Sequence, residues 1–130
     1  VSRRVVIFHA PEDAAAARAC QVHFAVMRRA MGLDVSTIST ESPASALGAD
    51  LLVPLLSAPL AAWWVEAGAA APTAARLVPV NLSACELPAD LAPLVMVPKS
   101  GSVDTAEHKD VAWAEVAREV SRILSGRVPS

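Results

Sequence analysis

The side chains best suited to chemistry lie just behind the first apolar run. Val5-Val-Ile-Phe8 gives way to His9, and Glu12 and Asp13 follow within four residues. An imidazole beside two carboxylates can form a polar cluster that holds a ligand if the fold turns them toward one crevice. Ser57 closes a second apolar run and Ser83 follows a third. In open α/β sheets ligands seat outside the carboxyl ends of strands, so His9, Glu12, Asp13 and Ser57 form a candidate cluster, with Ser83 nearby. The plainer reading of His9 is a histidine satisfied by local hydrogen bonds.

Other chemistries lack their residues. His23 and His108 have no ligand spacing with each other or with Cys20 and Cys85, so no metal is expected. Ser57 has no Gly-x-Ser-x-Gly frame, and the five glycines form neither a phosphate loop nor a dinucleotide fingerprint. Cys85 reads as a buried thiol rather than a nucleophile. Trp63 and Trp64 are adjacent on an expected helix and point roughly 100° apart, so both cannot face the core squarely. One is expected in the core, and the other is a candidate partner anchor.

These residues need a scaffold, and the periodicity supplies one. Val5 to Phe8 is a continuous apolar run, the mark of a strand buried on both faces. A helix to about Met31 follows, with Cys20, Phe24, Met27 and Met31 on one face, Glu12 and Asp13 in its first turn, and Arg28 and Arg29 in its last. Gly32 stops it. Asp34 to Ile38 alternates in polarity, as suits a sheet edge. Asp50 to Ser57 reads as a central strand despite Pro54, and Leu77 to Leu82 as another despite Pro79. A short Ala-rich helix is expected between them, from Leu60 to Ala71. Leu94 to Val97 is a fifth strand. Asp110 is expected to cap a closing helix to Leu124, with Trp113, Val116, Val120 and Ile123 or Leu124 buried. Strands alternating with helices predict a mostly parallel sheet with right-handed crossovers.

The chain has 130 residues, enough for one core, so a single domain over 1–126 with a short tail, 127–130, is expected. A net charge of −2 without a basic run argues against nucleic acid and anionic membranes as partners. The longest apolar stretch, Leu51 to Val65, is shorter than the ~20 residues of a membrane span. The opening Val-Ser-Arg-Arg leads into a first core strand better than into a signal peptide. Two cysteines are too few for a disulfide scaffold, so reduced thiols and a cytoplasmic setting are expected.

Four segments, in order, resemble a bacterial Toll/interleukin receptor (TIR)-like domain. Phe8-His-Ala-Pro-Glu-Asp13 stands where that family has an aromatic-Ser-Tyr-Ser-x-x-Asp opening. Ala49-Asp-Leu-Leu-Val-Pro-Leu-Leu-Ser57 matches its Ala-Asp-apolar run ending in Ser. Leu77-Val-Pro-Val-Asn-Leu82 with Cys85 is similar to its Val-Ile-Pro-Val-Ile-Leu-x-Pro-Cys segment. Lys109-Asp-Val-Ala-Trp113 is similar to its closing Arg-Asp-x-Ala-Trp. The resemblance implies a flavodoxin-like three-layer α/β fold with five parallel strands in the order 2-1-3-4-5. It also implies a signalling and self-association or adaptor module of a bacterial defence or effector system, recruited through homotypic or effector-associated contacts.

The family's catalytic glutamate falls on Glu66, after Trp63-Trp64-Val65, and would make this chain an NAD hydrolase. Two departures weigh against that. Ser-Tyr-Ser is replaced by His9-Ala10-Pro11, and between the second and third strands only Thr40 to Gly48 stands where the family has a long loop and a helix. A module without catalysis or a cofactor of its own is therefore the expectation. The alternatives are NAD cleavage by Glu66, which would make NAD a substrate, and a small-ligand sensor built on His9, Ser57 and Ser83. A phosphoacceptor receiver domain is excluded, because Leu55-Leu56-Ser57 lacks the required aspartate.

Overall fold

Val5, Val6, Ile7 and Phe8 are all fully buried, as a strand flanked on both edges and covered on both faces must be. The computed structural model describes residues 4–42, 49–68, 76–83, 102–103 and 109–124. In chain order these form β1 (Arg4–His9), a 3-10 turn (Pro11–Asp13), α1 (Ala14–Met31), β2 (Asp34–Ser39) and β3 (Leu51–Leu56). Then come α2 (Ala58–Ala67), β4 (Arg76–Leu77), β5 (Val80–Asn81) and α3 (Lys109–Leu124). The sheet has five strands, all paired parallel, in the order β2-β1-β3-β4, with β5 also paired to β3. This is a flavodoxin-like α/β arrangement.

The period of two along each strand divides the core into two layers. Val5 and Ile7 of β1 and Leu51, Val53 and Leu55 of β3 pack with Cys20 and Phe24 of α1 and with Trp113, Val116 and Val120 of α3. Val6, Phe8, Leu52 and Leu56 point the other way and pack with Leu60 and Trp64 of α2. Two helices thus cover one face and α2 the other. α1 ends where Gly32 takes the left-handed conformation, with φ 65° and its N–H donating to the Arg28 carbonyl.

Several expectations need correction. Glu12 and Asp13 form a separate 3-10 turn ahead of α1, because Pro11 opens a tighter turn that the helix then continues. Asp110 lies inside α3 rather than capping it, and its carboxylate reaches His23 of α1 at 3.3 Å. Of the expected α1 stripe, Cys20 and Phe24 are buried, while the side chains of Met27 and Met31 are outside the described set. The expected strand Leu94–Val97, and Cys85, His108 and Ala71, also lie outside the described residues.

The strand expected from Leu77 to Leu82 is split into β4 and β5, and Pro54 explains the split. Leu52 O accepts from Val78 N at 3.0 Å, and Leu56 O from Leu82 N at 3.1 Å. Backbone groups alternate sides along a strand, so Pro54 faces the same neighbour as Leu52 and Leu56. It has no N–H to give, and one rung of the ladder is missing beside Val78. The register is the same on either side of the gap, Leu52↔Leu77 and Leu55↔Val80, so there is no bulge. Pro79 costs this ladder nothing, since Val78 and Leu82 face β3 and the residue midway between Val78 and Val80 faces away.

Candidate functional site

β2 and β3 lie on opposite sides of β1, so the topological switch point falls between the carboxyl ends of β1 and β3. A flavodoxin-like sheet offers its crevice there. His9 ends β1, and the residue is only 7% exposed. Its Nδ1 lies 2.8 Å from the Ala10 carbonyl, which can only accept, so Nδ1 carries the hydrogen. The local satisfaction expected for this histidine is what the geometry shows.

Asp13 and Ser57 are 44 residues apart in sequence and meet across the switch point. The Ser57 hydroxyl donates to Asp13 Oδ2 at 2.5 Å, a short bond of the charge-assisted kind. The same hydroxyl accepts from Leu60 N at 3.5 Å, so Ser57 is also the N-cap of α2. Asp13 occupies the cap position of α1 but makes no side-chain cap there; its carboxylate is spent on Ser57. Its own N–H donates to the Ala10 carbonyl at 2.9 Å, which closes the 3-10 turn beneath it. Ser83 is drawn in by its backbone, N to Leu56 O at 3.1 Å. The fold therefore gathers His9, Asp13, Ser57 and Ser83 at one end of the sheet. Glu12, exposed on the turn, stands at the margin of this group.

Glu66 is not gathered with them. It is exposed on α2, nine residues past Ser57, and at ~1.5 Å per residue that places it roughly 13 Å along the helix from the crevice. Of the two tryptophans, Trp64 is buried and Trp63 half-buried. Trp63 sits 5.2 Å from the Phe8 ring and 6.3 Å from Trp64, while Trp64 meets Phe8 edge-on at 6.1 Å. These tilted geometries suit the ring quadrupoles. The pair thus anchors α2 on β1, with Trp63 leaving one side open.

The structure adds features that the sequence reading passed over. Val22 and Val26 of α1 are 70% and 79% exposed, and Val111 of α3 is exposed as well. Their signal was available, two valines four residues apart and off the Cys20–Phe24 stripe. Arg76 Nη1 donates to the Ile123 carbonyl at 2.6 Å and so caps the C-terminal turn of α3. Burial pushes the Cys20 thiol far above its ordinary range. Among the described residues no group of three or more His, Cys, Asp and Glu side chains is placed to hold a metal ion. None of the described helices is long and apolar enough to cross a membrane.

No family model matches this chain, and no curated protein matches it. Among solved structures, a fragment of a Peptoclostridium difficile 630 protein described as a lipoprotein superposes with a TM-score of 0.53. The superposition covers 96% of this chain and 98% of that one at 9% sequence identity. At that identity the likeness shows the α/β fold alone.

Proposed function

We propose that this chain is a TIR-like signalling module that works by self-association or as an adaptor in a bacterial defence or effector system, without catalysis of its own. The observation that carries this reading is the connection between β2 and β3. It has eleven residues, from Thr40 to Asp50, whereas a helical crossover between parallel strands takes about a dozen or more. That length weighs against a helix that would wall a nucleotide cleft on that flank. The polar side chains at the switch point support the same reading, since Ser57 and Asp13 are bonded to each other and His9 to Ala10. Glu66 stands at the far end of α2 from that crevice. A buried, unpaired Cys20 suits a reducing cytoplasm.

Sedimentation equilibrium over a wide concentration range tests the proposal, with a mass that rises with concentration as the expected result. A strict monomer throughout, alone and with candidate partner domains, would sink it. Incubation with NAD separates the enzyme reading. Nicotinamide release that disappears in Glu66→Gln would replace this proposal with NAD hydrolysis, and no release is expected.

A further inference from the structure

We propose that two copies of this chain pair antiparallel along β2, centred on Thr37, so that their sheets join into one. This rests on the self-association reading above and names its surface. β2 pairs with β1 alone, so one of its edges has no strand beside it among the described residues. Which groups line that edge follows from one hydrogen bond. Thr40 N donates to His9 O at 3.1 Å, so Thr40 faces β1. Backbone groups alternate, which turns the N–H and C=O of Val35, Thr37 and Ser39 outward.

The outer two of these residues are already engaged at their carbonyls. Gln21 Nε2 reaches Val35 O at 3.4 Å, and Ser42 N donates to Ser39 O at 3.1 Å. Thr37, between them, has neither backbone group partnered among the described residues. A two-fold axis at Thr37 lets each copy's Thr37 N–H donate to the other's Thr37 carbonyl, the closed ring of an antiparallel hydrogen-bonded pair. In that register Val35 lies opposite the partner's Ser39, and Ser36 opposite the partner's Ile38. Facing residues point to the same side of the joined sheet, as the two-fold requires. Asp34, the only charged residue of β2, meets the partner's Thr40, so no like charges face each other.

Among the described residues the middle of this edge carries few of the usual defences. Edge strands are normally blunted by lysine, proline, a bulge or a covering helix. β2 reads Asp-Val-Ser-Thr-Ile-Ser, with Asp34 its one charge, and pairs with β1 over all six residues without a bulge. Open at Thr37 and self-complementary about it, this edge fits a second copy of itself.

Sedimentation equilibrium on Thr37→Lys and Thr37→Glu, each checked for folding by circular dichroism, tests the register. Like charges placed across the axis should weaken self-association by roughly tenfold or more in each variant alone. An equimolar mixture of the two should associate again, since the charges then oppose. Thr37→Pro removes the outward-facing N–H without removing a rung of the β1 ladder and should weaken it as well, and the Thr37 amide of the unmodified chain should exchange more slowly as protein concentration rises. Self-association unchanged in all three Thr37 variants, or lost instead in Val22→Glu/Val26→Glu, would overturn the β2 interface while leaving the self-association reading intact. A strict monomer in the unmodified chain would remove both.

Discussion

Ser57→Ala isolates the contact that closes the switch point. Ser57 is buried, and its hydroxyl both donates to Asp13 and caps α2. A hydrogen bond to an ionised acceptor contributes roughly 1.5–3 kcal/mol. The cap is long at 3.5 Å and belongs at the low end of its class, about 0.5 kcal/mol. Alanine opens no cavity of consequence, and half-buried Asp13 can recover part of its loss by turning to water. The net cost is therefore about 1.5–3 kcal/mol, which for a domain of this size lowers Tm by roughly 5–10 °C. Urea unfolding of the unmodified chain, Ser57→Ala, Asp13→Ala and the double variant completes a thermodynamic cycle. The coupling expected is about 1–2 kcal/mol. Additive single costs, or a Ser57→Ala protein as stable as its parent, would refute the claim that these two residues seal the crevice.

The remaining expectations concern the core and its edges. Trp64→Ala should cost about 3–5 kcal/mol, and Trp63→Ala only roughly 1–2 kcal/mol because Trp63 is half-exposed, as chemical denaturation would measure. Cys20 should resist thiol reagents in the folded chain and react on unfolding, read by peptide mapping that distinguishes it from Cys85. Its thiol is pushed up by burial, so its contribution is complete below the unfolded value of about 8.5 and is lost as pH rises above that, at ~1.4 kcal/mol per pH unit. Cys20→Ala should accordingly show a shallower alkaline loss of stability than its parent. Arg76→Ala removes the guanidinium from the Ile123 carbonyl and should cost about 0.5–1 kcal/mol, with faster amide exchange confined to the last turn of α3.

How far the sequence discloses this molecule depends on how local the cause is. β1, α1 and α3 are legible because their burial follows a period of two or of 3.6 along a few adjacent residues. The edge placement of β2 is legible for the same reason, since Val35 alone is buried and the residues after it are half-covered. The path β2-β1-β3-β4 agrees with the first four positions of the order that the family resemblance implies, while β5, the second half of the expected fourth strand, also pairs with β3. The Asp13–Ser57 bond joins a 3-10 turn to a helix cap 44 residues away, and the Arg76 cap spans 47 positions, so no local pattern announces either. Pro54 drew attention as a misfit, yet its effect depends on which neighbour its nitrogen faces. That is a matter of register, which only the assembled sheet defines. Glu66 entered through family likeness, and helical geometry carries it away from the strand ends.

The rung left empty by Pro54 grades the resilience of the sheet from one side to the other. β1 is zipped to β2 along six consecutive positions, whereas β4 and β5 hang from β3 by two positions each. A fluctuation can loosen either short pairing with β3 without passing through the other. Among the described pairings these two short ones should be the first to loosen under denaturant, while the six-position β1–β2 pairing, where Thr37 lies, holds longer.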